Sequence, residues 1–191
     1  MSILEPEEAS SVPSEENGES GWRFLLDILE TILLSIVLYF GINALSARVR
    51  VDGYSMRPTL EDGEYILVNR LAYTKTIPKR GDIIVFRYPL HPEEDYIKRV
   101  IGIPGDEVLI ENGRVLVNGE ALTEPYIAAS PRYSGYWKVP QDSLFVLGDN
   151  RNDSSDSHSW GFVPIEDVIG KAIVVYWPPH AWSLMTSAAT P

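Results

Sequence analysis

The sequence predicts a mainly β protein, with antiparallel sheets that form a partial barrel and one transmembrane helix near the N-terminus. After residue 50, short runs of β-branched and aromatic residues alternate with Gly, Pro and Asn, a pattern typical of strands joined by tight turns. The chain contains 14 Gly and 14 Pro, which favour turns over a helical bundle. One long apolar stretch precedes residue 50 and predicts the helix.

Residues 1–20 form an acidic tail with six Glu and no Lys or Arg. The tail has few bulky apolar side chains, so it cannot bury enough surface to offset its ordering entropy, and we expect it to be disordered. Its charge of −6 leaves −5 on the rest of the chain, from a total of −11. A nucleic-acid binder needs a basic surface, so we expect no nucleic-acid partner.

Residues 21–47 are predicted to be a single membrane anchor. Within them, residues 31–47 carry no charge, which reaches the lower limit of about 17 residues for a spanning helix. A cleaved signal peptide is less well supported, because such a peptide begins with basic residues and this chain begins with acidic ones. A buried core helix is the other alternative, since Asp27 and Glu30 lower the hydropathy.

The orientation of this anchor is not determined by charge. Arg23 precedes the apolar stretch, while Arg48 and Arg50 follow it. Because cytoplasmic flanks are normally enriched in Lys and Arg, an even distribution gives no preference for either orientation.

Seven strands are predicted in the β-rich remainder, residues 48–191. They cover residues 65–68, 83–88, 96–101, 108–110, 115–117, 144–147 and 172–177. Asn112-Gly113 predicts a two-residue hairpin, and Asn118-Gly119 predicts the next turn. Residues 165–169 are the one segment here that could form a short helix.

Composition excludes several kinds of chemistry. The chain has no Cys, which excludes thiol catalysis, structural disulfides and Cys-ligated zinc. Its three His show no metal-ligand spacing such as His-Glu-x-x-His. We therefore expect no metal and no cofactor.

Ser55 is a candidate nucleophile because of the loop around it. Gly53 permits unusual backbone torsions and Pro58 fixes one, so together they can present a side chain rigidly. A serine in such a turn can also bond only to nearby backbone, and that alternative stays open. A serine nucleophile needs a base, and a lysine can serve if desolvation lowers its pKa.

Lys98 is the candidate base, in the middle of an apolar β run. Strand alternation places its side chain on the face of Tyr96 and Val100 and places Arg99 on the opposite face. Lys98 either extends its amine to water from an exposed face or is buried for a purpose; taken alone, the pattern favours the exposed arrangement. We expect Arg99 to be structural.

A third polar segment, residues 148–161, follows the strand predicted at 144–147. A surface cluster of Asx and Ser turns is the simplest interpretation. A calcium loop is less well supported, because the segment lacks the Gly and the terminal Glu of an EF-hand.

Four segments together resemble the sequence boxes of bacterial type I signal peptidases. They are Ser55-Met-Arg-Pro-Thr-Leu60, Gly81-Asp-Ile-Ile-Val-Phe86, Tyr96-Ile-Lys-Arg-Val-Ile-Gly-Ile-Pro-Gly-Asp106 and Gly148-Asp-Asn-Arg-Asn-Asp-Ser-Ser-Asp-Ser157. They occur in the order of that family, the predicted anchor stands just before the first, and the similarity covers about residues 22–177. The resemblance implies that residues 48–191 are a β-rich catalytic domain with two antiparallel sheet regions.

The same resemblance implies a role for individual residues. Ser55 matches the nucleophile and Lys98 the general base, while Ser154 matches a serine that hydrogen-bonds the lysine and orients it. Met56 matches a residue that lines the substrate site. The supporting residues of the last segment are matched by Asp149, Arg151 and Asp156.

The implied function is a serine endopeptidase that removes signal peptides from exported preproteins by cleaving after small residues, in an Ala-x-Ala pattern. The implied partners are signal peptides and the lipid bilayer, and a monomer is expected. The implied location is a single-pass membrane protein with its catalytic domain on the extracytoplasmic side, in the plasma membrane or an internal membrane.

Two positions depart from the family pattern. Gly53 stands where some members carry a hydroxyl residue that helps the oxyanion hole, so the hole would depend on backbone N–H groups, for example that of Ser55. His158 stands where an Arg is usual, so its pairing with Asp156 would be only partial at neutral pH.

Two other functions compete with this one. A Ser–Lys peptidase that cleaves itself or a regulator would resemble the repressor-cleaving proteins, which are soluble, and the apolar residues 31–47 argue against it. A membrane-tethered β domain that binds partners without catalysis is the second. In that case Lys98 would stay charged and Ser55 would be an ordinary turn residue.

Overall fold

The computed structural model describes residues 17–187, apart from the side chains of residues 17–20 and 44. The chain divides into two units, one up to Ile42 and one from Asn43 onward. Residues 1–16 of the predicted tail lie outside the described residues, so the prediction of disorder stays a prediction for them.

Helix α1 (Asn17–Leu45) lies mostly in the first unit, and its last three residues belong to the second. It begins and ends slightly earlier than the predicted 21–47. Residues 17–20 of the predicted tail are therefore helical. The stretch Gly21–Asn43 is long and apolar enough to cross a membrane, and none of it is buried. Exposed side chains such as Leu33 and Phe40 give the helix an apolar surface, which argues against a buried core helix and is what a bilayer requires.

The second unit is built mainly from short antiparallel strands, as predicted. In chain order the described strands are β1 (Ser46–Arg50), β2 (Tyr65–Asn69), β3 (Ile83–Tyr88), β4 (His91–Gly102), β5 (Glu107–Glu111), β6 (Arg114–Val117), β7 (Glu120–Ala121), β8 (Gly135–Lys138), β9 (Ser143–Leu147), β10 (Val163–Pro164), β11 (Val168–Trp177) and β12 (Ser183–Leu184). A short helix, α2 (Ser157–Trp160), lies between β9 and β10.

The strands form two sheets. The larger sheet has the order β1-β2-β11-β3-β4-β9-β10, with β12 paired to β11, and the smaller has the order β7-β6-β5-β8. The smaller sheet is formed by the chain between β4 and β9. As a result β4 and β9 are neighbours in the larger sheet although about forty residues separate them, and this brings the residues after β9 beside those of β4.

The predicted hairpin and the predicted turn after it are both confirmed. Asn112 and Gly113 have φ values of 49° and 73° and join β5 to β6, with Glu111 paired to Arg114. Positive φ at both central residues is what a two-residue turn between twisted strands requires, and Asn and Gly tolerate it best. Asn118-Gly119 has the same signs of φ and joins β6 to β7.

All seven predicted strands are present, within β2, β3, β4, β5, β6, β9 and β11. The strands that the pattern missed are short or exposed. β1 is one of them: it carries two Arg and follows directly on α1, and its backbone pairs with β2 over all five residues. At the predicted short helix, Ile165–Asp167 forms one 3-10 turn and Val168 already belongs to β11.

The larger sheet is covered by apolar side chains on both faces. Along β3, Ile83 and Val85 join one buried cluster, while Ile84 and Phe86 join another. This explains why β3 is a continuous apolar run, because a strand buried on both faces does not alternate. A third cluster, which includes Ile101 and Val108, packs the two sheets together.

Candidate active site

Ser55 and Lys98 line the same open cleft in the second unit. The cleft has a volume of about 530 Å³. Its lining is drawn from the loop after β1, from β4 and from the segment after β9: Val49, Arg50, Asp52, Gly53, Tyr54, Ser55, Val85, Glu94, Asp95, Tyr96, Ile97, Lys98, Asp153 and Ser155. This volume lies within the range of about 300–1,000 Å³ that is typical of ligand sites.

The loop that carries Ser55 is closed at its base by backbone hydrogen bonds. Val51 N–H donates to the Glu64 carbonyl and Gly63 N–H donates to the Val51 carbonyl, both at 2.8 Å. Gly53 has a φ of 96°, a conformation that side chains disfavour, and its N–H donates to Asp62 Oδ1 at 2.8 Å. The loop is therefore fixed from both sides of the serine.

Lys98 is buried, not extended into water. Its side chain projects from β4 and is 4% exposed, and its Nζ lies 2.9 Å from Ser55 Oγ and 2.9 Å from the Ile97 carbonyl oxygen. Burial lowers the pKa of Lys98 to about 8, against the attraction of Asp156 and Asp149, which raises it. The alternative of an exposed lysine is therefore wrong. Because the amine is dehydrated, it loses its proton more easily than an exposed amine does.

Asp149 and Arg99 form a buried ion pair beneath the site. Arg99 Nε donates to Asp149 Oδ1 at 2.8 Å and Nη2 donates to Oδ2 at 2.7 Å, a bidentate arrangement. Thr59 Oγ1, in the nucleophile loop, also donates to this carboxylate. Arg99 thus lies opposite Lys98 on β4, as predicted, and its carboxylate partner ties the strand to the Ser55 loop.

Arg151 lies in a second buried ion pair, with Glu124. Its Nη1 donates to Glu124 Oε2 at 2.9 Å, and Nη2 donates to Oε1. Its Nε donates to the Gly148 carbonyl at 3.1 Å. The sequence analysis did not identify Glu124, which follows β7 in an irregular segment. The signal that could have found it is indirect: if Arg151 is buried, it needs a carboxylate partner.

Asp156 is fully buried and begins helix α2. Its Oδ2 accepts from the Gly148 N–H at 2.9 Å and its Oδ1 accepts from the His158 N–H at 3.2 Å, as a helix N-cap does. His158 Nδ1 lies 2.6 Å from the same oxygen, and the ring stacks on Tyr133 with centroids 3.9 Å apart. His158, which stands where an Arg is usual, therefore still contacts Asp156.

Ser154 does not make the predicted contact with Lys98. Its Oγ is buried and has no hydrogen-bond partner among residues 17–187. It packs against Gly148, where an added Cβ would clash with Ser154 Oγ and with the Ser55 carbonyl oxygen. Only glycine fits at residue 148, because this close approach leaves no room for a side chain.

Met56 lies elsewhere than the resemblance implies. Its side chain is 1% exposed and packs in a core cluster with Leu60 and Ile66. It is not among the residues that line the cleft. Met56 therefore supports the nucleophile loop from inside the core.

The described residues contain no cluster of side chains suited to bind a metal ion. Between residues 17 and 187, no group of three or more His, Asp or Glu side chains is arranged to hold a metal ion. Two buried ion pairs lie beside the site, Arg99 with Asp149 and Arg151 with Glu124.

A serine hydroxyl beside a buried, easily deprotonated amine in an open cleft is the arrangement of a serine hydrolase. Comparison with known proteins agrees: the family described as signal peptidase, peptidase S26, matches residues 25–177. Signal peptidase I of Leptolyngbya laminosa is 47% identical over 167 residues, which cover 81% of this chain and 80% of that protein. The chain belongs to the signal peptidase family.

Two further relatives are similar over most of their length. Probable signal peptidase I-2 of Synechocystis is 41% identical, with 94% of this chain and 84% of that protein covered. Signal peptidase I of Bacillus caldolyticus is also 41% identical, with 67% and 78% covered.

This membership settles the activity at a coarse level. The protein is a hydrolase of the signal peptidase I type, a serine peptidase that removes signal peptides from preproteins. Together with the apolar stretch Gly21–Asn43, it indicates a membrane-anchored protein.

Proposed function

We propose that Ser55 and Lys98 are the catalytic dyad of this signal peptidase. The observation that carries the proposal is the 2.9 Å separation of Lys98 Nζ and Ser55 Oγ, with the lysine 4% exposed. Burial keeps a larger fraction of the amine neutral at a given pH, and only the neutral amine can accept a proton. The cleft leaves one side of Ser55 open to a peptide.

Acylation begins when neutral Lys98 accepts the proton of Ser55 Oγ as this oxygen attacks the scissile carbonyl carbon. The tetrahedral intermediate then collapses, the carbon–nitrogen bond breaks, and protonated Lys98 gives its proton to the leaving amine. The signal peptide remains as an ester on Ser55 and the mature chain leaves with a free N-terminus. Neutral Lys98 next activates a water that hydrolyses the ester and regenerates Ser55.

The oxyanion formed during attack needs a hydrogen-bond donor close to Ser55. Gly53 has no side chain to offer, and its N–H already donates to Asp62 Oδ1. We therefore assign the role to the backbone N–H of Ser55, whose position is fixed by the closed loop. Loss of one such donor costs about 10²-fold or more in other hydrolases.

The supporting residues act by holding the dyad in place. Asp149 ties β4 to the Ser55 loop through Arg99 and Thr59, and Asp156 holds the Gly148 N–H. Arg151 holds the Gly148 carbonyl. Ser154 packs against Gly148 beside the Ser55 carbonyl, and its hydroxyl has no partner in the described chain, so its role here is limited to packing.

We propose cleavage after small residues in an Ala-x-Ala pattern. The cleft is bordered by Val49 and Arg50 of β1 and by Ile97 of β4, and β1 is the terminal strand of the larger sheet in the order of the described strands. An extended peptide can add to such a terminal strand through backbone hydrogen bonds, and the side chains beside it then set specificity.

The cellular arrangement follows from this substrate. We propose that the enzyme acts as a monomer, that α1 lies in the lipid bilayer, and that the β unit works on the extracytoplasmic side of the plasma membrane or of an internal membrane. Signal peptides become accessible on that side once the preprotein is exported. No nucleic acid and no cofactor takes part.

Replacing Ser55 by Ala or Lys98 by Ala tests the dyad. We expect each variant of the full-length protein in detergent to lose processing of a model preprotein, with the cut bond of the wild type identified by mass spectrometry. Ser134→Ala and Lys138→Ala, at exposed positions, are matched controls that should process normally. Turnover that persists in Ser55→Ala or Lys98→Ala would contradict the dyad and favour a binding domain without catalysis.

A further inference from the structure

The segment after β9 holds the backbone of the nucleophile. Asn150 N–H donates to the Ser55 carbonyl at 3.0 Å, and Asn150 Nδ2 donates to the Tyr54 carbonyl at 3.1 Å. Gly148 packs directly against the same Ser55 carbonyl oxygen. Residues 148–151 therefore help to fix the position of the Ser55 backbone.

Two buried arginines hold this segment in turn. Arg99 donates two hydrogen bonds to Asp149, and Arg151 Nε donates one to the Gly148 carbonyl. Arg151 is itself 1% exposed, so its position depends on a compensating charge. That charge is Glu124, whose side chain is 7% exposed.

Tyr126 joins Glu124 to both arginines. Its hydroxyl donates to Glu124 Oε1 at 2.9 Å, and its ring centroid lies 3.9 Å from Arg99 Cζ and 5.9 Å from Arg151 Cζ. Burial, with the nearby Glu124 charge, raises the pKa of Tyr126, so the hydroxyl stays protonated and remains a donor. Residues 124–126 thus contact both cations that hold the nucleophile segment.

We propose that Glu124 is a positioning residue for peptide cleavage: through Arg151 and the Gly148 carbonyl it fixes residues 148–151, which fix the Ser55 carbonyl. The proposal rests on Ser55 being the nucleophile. Glu124 contacts neither Ser55 nor Lys98 in the described structure, so it acts only through the segment. A small misplacement of a nucleophile is enough to slow attack strongly, by about 10²-fold for 1 Å.

The test begins with Glu124→Gln in the full-length enzyme, which keeps the shape and removes the charge. We expect kcat to fall about tenfold or more and KM to change less than about twofold, because alignment is lost while the peptide site stays intact. Glu107→Gln is the matched control, since Glu107 also pairs with a cation, Lys138 at 3.2 Å, but at an exposed position; it should leave kcat unchanged.

Hydrogen exchange of the Asn150 amide gives a readout of position that does not depend on turnover. This amide donates to the Ser55 carbonyl, so we expect Glu124→Gln to speed its exchange while Glu107→Gln does not. A normal kcat with only a lowered melting temperature, or unchanged exchange at Asn150, would overturn the inference and leave Glu124 as a stabilising residue alone.

Two more variants make the result decisive. If Glu124→Gln fails to fold, Tyr126→Phe removes only the hydroxyl bonded to Glu124 and should lower kcat about two- to fivefold at unchanged KM; an unchanged kcat would overturn the proposal.

When Glu124→Gln is combined with Asn150→Ala, the fold-loss of kcat should be smaller than the product of the two single losses, because both act on one segment. Independent, multiplicative losses would contradict this route.

Failure of the dyad and failure of this inference have different signatures. A Ser55→Ala variant that still turns over would refute Ser55 as the nucleophile. The backbone contact between Asn150 and residue 55 is kept in that variant, so the effect of Glu124→Gln on Asn150 exchange can still be measured there.

Discussion

Lys98 is the residue whose surroundings control the chemistry. Its amine is enclosed by β4 and the nucleophile loop, and burial acts on its pKa more strongly than the attraction of Asp156 and Asp149. The two carboxylates do not bond to it: one is held by Arg99 and the other caps α2. Because burial outweighs their attraction, the amine becomes neutral more easily than an exposed lysine does.

Activity should therefore rise with pH. The neutral amine is the active form and its pKa is lowered to about 8, so kcat/KM is expected to increase about tenfold per pH unit well below 8 and to level off above it. Peptide hydrolysis measured from pH 5.5 to 10 checks this. A flat profile through pH 8, or activity that falls as pH rises through 8, would mean that Lys98 is not the base.

At the scale of elements, the site is formed where the nucleophile loop, strand β4 and the segment after β9 contact one another. The loop of residues 51–64 supplies Ser55 and β4 supplies Lys98. The segment after β9 bonds the Ser55 carbonyl and, through Asp149, bonds Arg99 next to Lys98. The long separation of β4 and β9 in sequence is closed by the larger sheet, where they pair directly. At Gly148 the segments approach closely, because the Ser55 carbonyl oxygen and Ser154 Oγ occupy the space that a Cβ would need.

Gly148→Ala should therefore damage the site severely. The added methyl would push the nucleophile loop away, so we expect activity to fall about 10²-fold and unfolding to cost about 1–3 kcal/mol less free energy, as overpacking usually does. Gly119→Ala is the control, because it strains a turn with a φ of 85° but has open space around it. It should lower the melting temperature without changing kcat; equal activity losses in both would point to general destabilisation.

At the scale of the whole molecule, the two units differ in where their apolar side chains lie. Every residue of the described apolar core lies at Val51 or later, whereas α1 exposes large apolar side chains along its length. The β unit therefore owes its stability to its own sheets, and α1 is suited to a lipid environment, where its backbone bonds are satisfied internally.

A charge in the middle of α1 should release the protein from the membrane without unfolding the β unit. Leu34→Arg adds about 2.5–3.5 kcal/mol to the insertion free energy on a biological scale. We expect a larger soluble fraction on cell fractionation, an unchanged near-ultraviolet circular dichroism spectrum, and normal cleavage of a soluble peptide. Leu34→Ile should stay in the membrane. A fully membrane-bound Leu34→Arg protein would argue against α1 as the anchor.

Much of this structure could be predicted because the signals are local. The strands, both Asn-Gly hairpins and the apolar helix each depend on a few consecutive residues. Local patterns made Ser55 and Lys98 candidates only, and the resemblance of four segments to signal peptidases implied their roles. The edge strand β1 was missed because its exposed Arg side chains hide a β pattern, and Met56 was assigned to the cleft although it lies in the core.

By itself the sequence determined the fold class and the helix, because propensities, turn chemistry and apolar periodicity act between near neighbours. The residues of the site were implied by the resemblance of four segments to a known family. Only the tertiary structure decided that Lys98 is dehydrated against Ser55, that Glu124 holds Arg151, and that Ser154 stays without a partner in the described chain. Burial and pairing depend on segments brought together from distant parts of the chain, and no local pattern reports which segments meet.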